Sequence, residues 1–268
     1  MALKEKLQDV MDRAVSDCVV AGMNLLVEKD GREVCYCQAG MADREEKRPM
    51  ARDTVFRLYS QTKPVTAAAA MILMERGQMD LISPVSDFIP AFAGQSYFVE
   101  TGAIGKEAVR KVMQPVRIFD LLRMTSGLVY PDPATPAGRQ TAAVFEETDR
   151  RLLTGEDMTT REMAEKLAAC TLAFEPGSAW SYGSSADVLG AVIEAVSGMS
   201  FGQFLEKELF GPLGMKDTAF YVPQEKQNRL AAVYEQVSRD GRNALVRFEE
   251  NHLGVRNRME KSPGFESG

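Results

Sequence analysis

Apolar and polar positions follow two different periods in the first forty residues. Apolar side chains recur at helical spacing, with charged residues between them, at Leu3, Leu7, Val10, Met11 and Val15. This pattern predicts an amphipathic helix and not a signal peptide, so we expect a cytoplasmic protein. Two runs of β-forming residues follow within Gly22–Gly40, and the Asp30-Gly31 turn signal between them predicts an antiparallel hairpin.

The middle of the chain is predicted to be mainly helical. A strand-like run, Val55–Tyr59, leads into an Ala- and Met-rich helix from Thr62 to Arg76, which is apolar on all sides and therefore expected to be buried. Helical segments separated by Pro and Gly extend from Leu81 to Phe210. The loop Tyr130–Gly138 contains three prolines, so we expect neither helix nor central strand there.

Strand-like alternation returns near the end of the chain, within Arg229–Phe248. The order of hairpin, helices and strands predicts an α+β protein, with a helical domain and an antiparallel sheet built from both chain ends. We expect an N-terminal helix and hairpin (1–55), a mainly helical domain (56–222) and a return toward the sheet (223–268).

Composition limits the kinds of partner that we expect the protein to bind. The chain has 32 Lys and Arg against 38 Asp and Glu, a net charge of −6, which does not favour nucleic acid. The longest apolar candidate, Thr66–Met74, has half of the roughly 18 residues that a membrane span needs, so we expect no membrane contact. The four cysteines have neither CxxC spacing nor His partners, which favours free buried thiols over a metal site.

The strongest chemical signal is the S-x-x-K pattern formed by Ser60 and Lys63. Three residues along a helix make nearly one turn, so the hydroxyl and the amine would lie on one face. A serine hydroxyl needs a neighbouring base or charge to attack, and Lys63 can supply one if burial lowers its pKa. The alternative is that Ser60 caps the helix and Lys63 is solvated.

A second signal is the segment Trp180–Ser185, which precedes another apolar helix. Tyr182 can present its phenol to a cleft and shuttle a proton, and Ser184 can donate a hydrogen bond to Lys63 or to a substrate. The alternative is a loop tyrosine packed against Trp180, with a serine that caps the helix.

Four segments in this order resemble the penicillin-recognising serine hydrolases, specifically the class C β-lactamase-like branch that includes the family VIII carboxylesterases. They are FRLYSQTK, VRIFDLLRMTSGL, EPGSAWSYGSSADVLGAVIEAVSG and LFGPLGMKDTAF. The resemblance implies a β-lactamase/transpeptidase-like fold, a small ester or amide substrate and no cofactor. It also implies that Ser60 is the acylated nucleophile and that Lys63 and Tyr182 handle its proton.

The sequence departs from this family at the site. Ser184 stands where class C β-lactamases carry asparagine, and a hydroxyl has one donor where an amide has two. This favours a carboxylesterase for short acyl chains, with a β-lactamase or D-amino-acid peptidase as alternatives. Tyr130, in the Pro-rich loop, is expected to form a wall of the acyl pocket.

Relatives also carry a third motif on a strand beside the nucleophile, preceded by a Gly-rich segment. This chain stops where such a segment would begin, so we expect a C-terminal truncation, an incomplete sheet and possible self-association through an unpaired edge. His252-Leu253-Gly254 matches one form of the motif, but its position argues against equivalence. The remaining alternative, from another functional class, is an inactive fragment or binding protein of this fold.

Overall fold

The computed structural model describes residues 2–100, 107–239, 241–248 and 263–268. The chain forms two compact units. One comprises Met1–Arg57 and Val222–Lys261, and the other comprises Leu58–Tyr221 and Ser262–Gly268. Both units are discontinuous in sequence, because each combines an earlier segment of the chain with a segment from its C-terminal part.

The helices and strands of the described residues are numbered in chain order. The helices are α1 (Leu3–Ser16), α2 (Thr62–Glu75), α3 (Ile118–Leu122), α4 (Pro136–Thr154), α5 (Thr160–Ala168), α6 (Ser185–Ser197) and α7 (Phe201–Leu205). The strands are β1 (Gly22–Lys29), β2 (Arg32–Asp43), β3 (Arg48–Pro49), β4 (Ser96–Glu100), β5 (Glu107–Lys111), β6 (Tyr234–Arg239) and β7 (Arg242–Arg247).

The first unit contains two antiparallel sheets. One has the order β1-β2-β3 and the other is the hairpin β6-β7. Helix α1 covers one face of the first sheet, where Met11 packs with Cys37 and Ala39. Within the described part of the chain, β1 is hydrogen-bonded to a neighbouring strand on one side only, so its other edge is unpaired.

The second unit is built around α2 and α6, which pack against each other. Helix α2 buries Ala69, Ala70 and Leu73 completely, and α6 buries every residue from Ser185 to Ile193. A helix that is apolar on all sides is expected to be surrounded by protein. For the Ala- and Met-rich helix this prediction is correct along one face only, because Met71 is 41% exposed.

Most predicted elements are found, with three corrections. Residues Val55–Tyr59 are not a strand: Val55 makes a single parallel bridge to Leu230, and Tyr59 begins a 3₁₀ turn. The hairpin β4-β5 lies in a stretch that was predicted to be helical. The Pro-rich loop is shorter than predicted, because Pro136 takes the first position of α4, where a missing N–H costs nothing.

The strands of the two chain ends lie in one unit, as the predicted α+β organisation requires, but in the described residues they form separate sheets. No single described helix is long and apolar enough to cross a membrane; only Ser185–Ser197 and Phe201–Phe210 together reach that length and composition, with a bend of 74° between them.

Candidate active site

Ser60 lies at the entrance to α2, in the 3₁₀ turn Tyr59–Gln61 that runs directly into the helix. The residue before it, Tyr59, has a φ of 48°, in the left-handed region that non-glycine residues rarely adopt. Such backbone conformations cost about 1–3 kcal/mol and cluster at functional sites. The turn leaves Ser60 exposed to solvent just before the N-terminus of α2.

Lys63 and Tyr182 both reach the Ser60 hydroxyl. The Lys63 ammonium lies 3.5 Å from Ser60 Oγ, as expected for residues one helical turn apart. The Tyr182 hydroxyl donates to the same oxygen at 2.5 Å, from a loop more than a hundred residues away. The structure thus brings together the three residues that the sequence singled out for proton transfer.

Backbone contacts hold the Tyr182 loop in place. The Ser181 N–H donates to the Met124 carbonyl at 3.0 Å. Next to Tyr182, Gly183 packs so closely that a Cβ there would lie 2.2 Å from the Leu128 carbonyl oxygen. Only glycine fits this approach without movement, which explains the glycine of the Tyr-x-Ser motif.

A buried hydrogen bond also joins the segment after Met124 to the segment after Tyr182, through Ser126 and Ser185. The hydroxyls of Ser126 and Ser185 lie 2.8 Å apart, and the Leu128 N–H donates to Ser126. Both serines are fully buried, so this contact is shielded from water. The start of α6 is therefore fixed to the segment that precedes Tyr130.

Tyr130 lies beside the catalytic candidates. Its ring makes edge contacts with the rings of Tyr182 and Phe145, at centroid distances of 5.4 and 6.0 Å. The Lys63 ammonium is 5.6 Å from the Tyr130 ring centroid and 5.2 Å from that of Tyr182. Tyr130 is half-buried here, a position consistent with the predicted pocket wall.

The charge state of Lys63 differs from the one considered from the sequence. Burial alone lowers the pKa of the Lys63 amine and is the largest single influence on it. Hydrogen bonds from Lys63 to Tyr130 and Tyr182, together with the negative charge of Asp187, outweigh burial and raise the pKa above its ordinary value. Lys63 is therefore an ammonium in the resting site.

The pKa of the Tyr130 phenol is also raised. Burial is the main cause, the Asp187 charge adds to it, and Lys63 opposes it. Tyr130 therefore stays a neutral phenol near Lys63 at neutral pH.

Ser184 follows Gly183 in the loop that carries Tyr182. Its side chain is fully buried, and its hydroxyl donates to the Val129 carbonyl at 3.4 Å. It occupies the position before α6 without capping the helix through its side chain. Its hydroxyl proton is engaged by the Val129 carbonyl here, and the predicted contact of Ser184 with the substrate or with Lys63 stays a prediction.

Asp187 is the site residue that sequence analysis missed. It lies in the first turn of α6, is 2% exposed and acts electrostatically on Lys63. The available signal was a carboxylate in the first turn of an apolar helix, five residues after Tyr182. A carboxylate in such a place is costly unless it is paired.

Among the described residues, no cluster of His, Cys, Asp and Glu has the arrangement of a metal site. Cys35 and Cys37 are buried free thiols, and Cys18 and Cys170 are half-buried ones. The motif candidate His252 lies outside the described residues, as does most of the segment around it.

Comparison with known proteins relates these features to characterised molecules. A family model described as Beta-lactamase matches residues 7–253. The esterase EstB of Burkholderia gladioli is 34% identical over 251 residues, which cover 93% of this chain and 58% of EstB. The lovastatin esterase of Penicillium rubens is 32% identical over 180 residues, 66% of this chain and 42% of that protein.

A solved structure resembles the chain over nearly the same span. It is EstCE1, described as a hydrolase with promiscuous acyltransferase activity, at 29% identity and a TM-score of 0.71. The match covers 91% of this chain and 58% of EstCE1. The chain thus spans a little over half the length of EstB and of EstCE1.

Proposed function

This chain belongs to the beta-lactamase family, and on that premise we propose that it is a serine hydrolase that forms an acyl-enzyme on Ser60. The observation that carries the proposal is the convergence of two proton-bearing groups on one hydroxyl. Tyr182 lies 2.5 Å and Lys63 3.5 Å from Ser60 Oγ. A serine becomes a nucleophile only when such a group can take its proton.

The proposed reaction begins with attack of Ser60 Oγ on the ester carbonyl carbon. The carbonyl π pair moves to oxygen. The Ser60 proton passes to the Tyr182–Lys63 pair, which has lost one proton beforehand and can therefore accept it. Collapse breaks the bond to the alcohol, which leaves with that proton. Water then attacks the acyl-enzyme, its proton returns through the same pair to Ser60 Oγ, and the acid is released.

Esters are the proposed substrates, and short acyl esters the first choice. Ser184 replaces the amide that holds a β-lactam in class C β-lactamases, and its hydroxyl is engaged with Val129. Two similar proteins, EstB and the lovastatin esterase, are described as esterases, which supports the same substrate class. A β-lactam or a D-amino-acid peptide is the alternative substrate.

Labelling and turnover test the proposal. Intact-mass measurement after incubation with a fluorophosphonate is expected to show one adduct, which Ser60→Ala abolishes. Folded protein that takes up no label would contradict the enzyme proposal and favour a binding protein of the same fold. Turnover of p-nitrophenyl butyrate is expected to exceed that of nitrocefin; the opposite order would replace the esterase with a β-lactamase.

We also propose that the chain self-associates through β1. In the described ranges one edge of this strand has no partner, and its Leu26 side chain is 54% exposed. Unpaired strand edges are templates for pairing with another chain. Light scattering after size exclusion is expected to show a concentration-dependent oligomer that Leu26→Lys weakens; a monomer at all concentrations would refute this.

A cytoplasmic location stays a prediction.

A further inference from the structure

The proposed reaction leaves one buried charged group at the site without a role. Asp187 accepts hydrogen bonds from the Ser267 hydroxyl at 2.6 Å and from the Gly268 N–H at 3.1 Å, both on the Oδ1 atom. Its side chain is nearly inaccessible to water. Two donors on one oxygen fix the orientation of the carboxylate, so it is held and not free to rotate.

Asp187 also stands close in the fold to the reacting groups. It lies on the first turn of α6, directly after the loop that presents Tyr182, and α6 packs on α2, which carries Lys63. The negative charge of Asp187 raises the pKa of Lys63, and the positive charge of Lys63 lowers the pKa of Asp187. Burial has the largest effect on Asp187 and raises its pKa to about 6, so it is mainly ionised at neutral pH.

Other charged side chains near α6 in the described residues have partners. Tyr130 raises the pKa of Lys63, and the Asp187 charge raises the pKa of Tyr130. Glu266, next to Ser267, accepts from the Gly202 N–H. Asp120 of α3 accepts from Thr125 and from the Arg117 N–H. Across α5 and α4 the charges pair as Arg161 with Glu165, Lys166 with Glu147 and Arg151 with Glu162. At the far end of α6, Glu194 accepts from the Phe201 N–H.

We propose that Asp187 is a positioning residue that acts through Lys63: its fixed carboxylate holds Lys63 as the ammonium facing Ser60 and thereby sets the pH at which the Tyr182–Lys63 pair becomes reactive. This inference rests on the proposed hydrolase function. The hydrogen bonds described for the Asp187 side chain go to Ser267 and Gly268 and not to Ser60, so we expect its effect on the reaction to be indirect and electrostatic.

The pH profile of kcat/KM for p-nitrophenyl butyrate tests this role. Asp187→Asn removes the charge and keeps an acceptor for Ser267 and Gly268, so the alkaline limb is expected to move toward lower pH. The ratio of activity at neutral pH to that on the alkaline plateau then rises. The matched control is Ser267→Ala, which disturbs the same contact but keeps the charge, and its alkaline limb is expected to stay in place. An unchanged profile in folded Asp187→Asn overturns the proposal.

A reciprocal measurement does not depend on turnover. The carboxyl ¹³C resonance of Asp187, assigned by its loss in Asp187→Asn, is titrated in the unsubstituted protein and in Lys63→Met. Because coupling between two sites is reciprocal, loss of the ammonium is expected to move the Asp187 midpoint to higher pH. Equal midpoints overturn the inference. Failure of fluorophosphonate to label Ser60 refutes the hydrolase alone, since the coupling is measured without it.

Discussion

The hydroxyl of Tyr182 lies 2.5 Å from Ser60 Oγ, although 122 residues separate the two in sequence. This contact joins the start of α2 to the loop before α6, and it places a phenol beside the hydroxyl that we propose as the nucleophile. Because both side chains are exposed, we expect this hydrogen bond to contribute little to the stability of the fold and to matter mainly in the proposed reaction.

Tyr182→Phe removes this hydroxyl and keeps the ring that packs on Tyr130. We expect kcat for p-nitrophenyl butyrate to fall by about 10²–10⁴, the usual contribution of a positioned proton-transfer group. Thermal melting is expected to change little. The control is Tyr36→Phe, which deletes a hydroxyl that bonds Gln38 in the other unit. Equal rates for Tyr182→Phe and Tyr36→Phe would exclude Tyr182 from the reaction.

The pH dependence of activity follows from the raised pKa of Lys63. Burial lowers this pKa, but hydrogen bonding to Tyr130, the Asp187 charge and the bond to Tyr182 raise it further than burial lowers it. Lys63 is therefore an ammonium at neutral pH, and the form of the site that can accept the Ser60 proton appears as pH rises. We expect kcat/KM to increase from neutral toward alkaline pH.

Tyr130→Phe tests whether Tyr130 raises the pKa of Lys63. Tyr130 is the largest of the influences that raise the pKa of Lys63, so its loss is expected to shift the alkaline limb of kcat/KM toward lower pH. Phenylalanine keeps the ring contacts with Phe145 and Tyr182. A shift in the opposite direction would show that Tyr130 does not stabilise the ammonium.

The chain has the fold of the β-lactamases and penicillin-binding proteins, and its local patterns predicted much of that fold. Helix α1, the first hairpin and α2 carry their own signals: amphipathic spacing, an Asp-Gly turn and an apolar run. Strand β4 was not predicted, because its partner β5 lies beyond a segment without a hairpin signal, and strand formation depends on such pairing.

The S-x-x-K spacing and the family resemblance singled out Ser60, Lys63 and Tyr182, and the structure brings these three residues together. The environment of these residues was not predictable, because it depends on groups distant in sequence. The direction of the pKa shift at Lys63 needs Tyr130 and Asp187, which α2 does not contain. Ser184 was predicted to bind the substrate from its position in a motif, whereas in the structure its hydroxyl is hydrogen-bonded to the Val129 carbonyl, a contact that the motif does not show.

Gly183→Ala is expected to displace the Tyr182 loop. The added methyl group would lie 2.2 Å from the Leu128 carbonyl oxygen, so the backbone has to move. We expect the free energy of unfolding to fall by about 1–3 kcal/mol, the usual cost of overpacking, and kcat to fall as Tyr182 leaves Ser60. Urea unfolding and turnover measure the two effects.

Gly94→Ala is the matched control for that change. Its φ is 70°, and an added methyl group meets no atom within 4 Å, so it costs only the backbone strain of about 1–2 kcal/mol. We expect it to lose stability but to keep full activity per folded molecule. If Gly183→Ala also kept full activity, close packing at Leu128 would not be what positions Tyr182.

The stability of the second unit is expected to depend on pH through Asp187. Burial raises the pKa of this carboxyl from 3.8 to about 6, so the folded protein binds the proton more tightly than the unfolded chain does. The contribution of Asp187 to the free energy of unfolding therefore falls as pH rises from 4 through 6 and is lowest above pH 7. The change corresponds to about 3 kcal/mol at full ionisation.

Asp187→Asn removes the buried charge while keeping an acceptor for Ser267 and Gly268. We expect the variant to melt at a higher temperature than the unsubstituted protein at pH 8, and the difference to vanish near pH 4, where Asp187 is protonated. The control is Asp9→Asn on α1, an exposed aspartate paired with Arg13, for which only a small change is expected at either pH. The change in melting temperature caused by Asp187→Asn could instead be the same at pH 4 and pH 8. That result would show that ionisation of the buried Asp187 carboxyl does not lower the stability of the fold, and the prediction would be wrong.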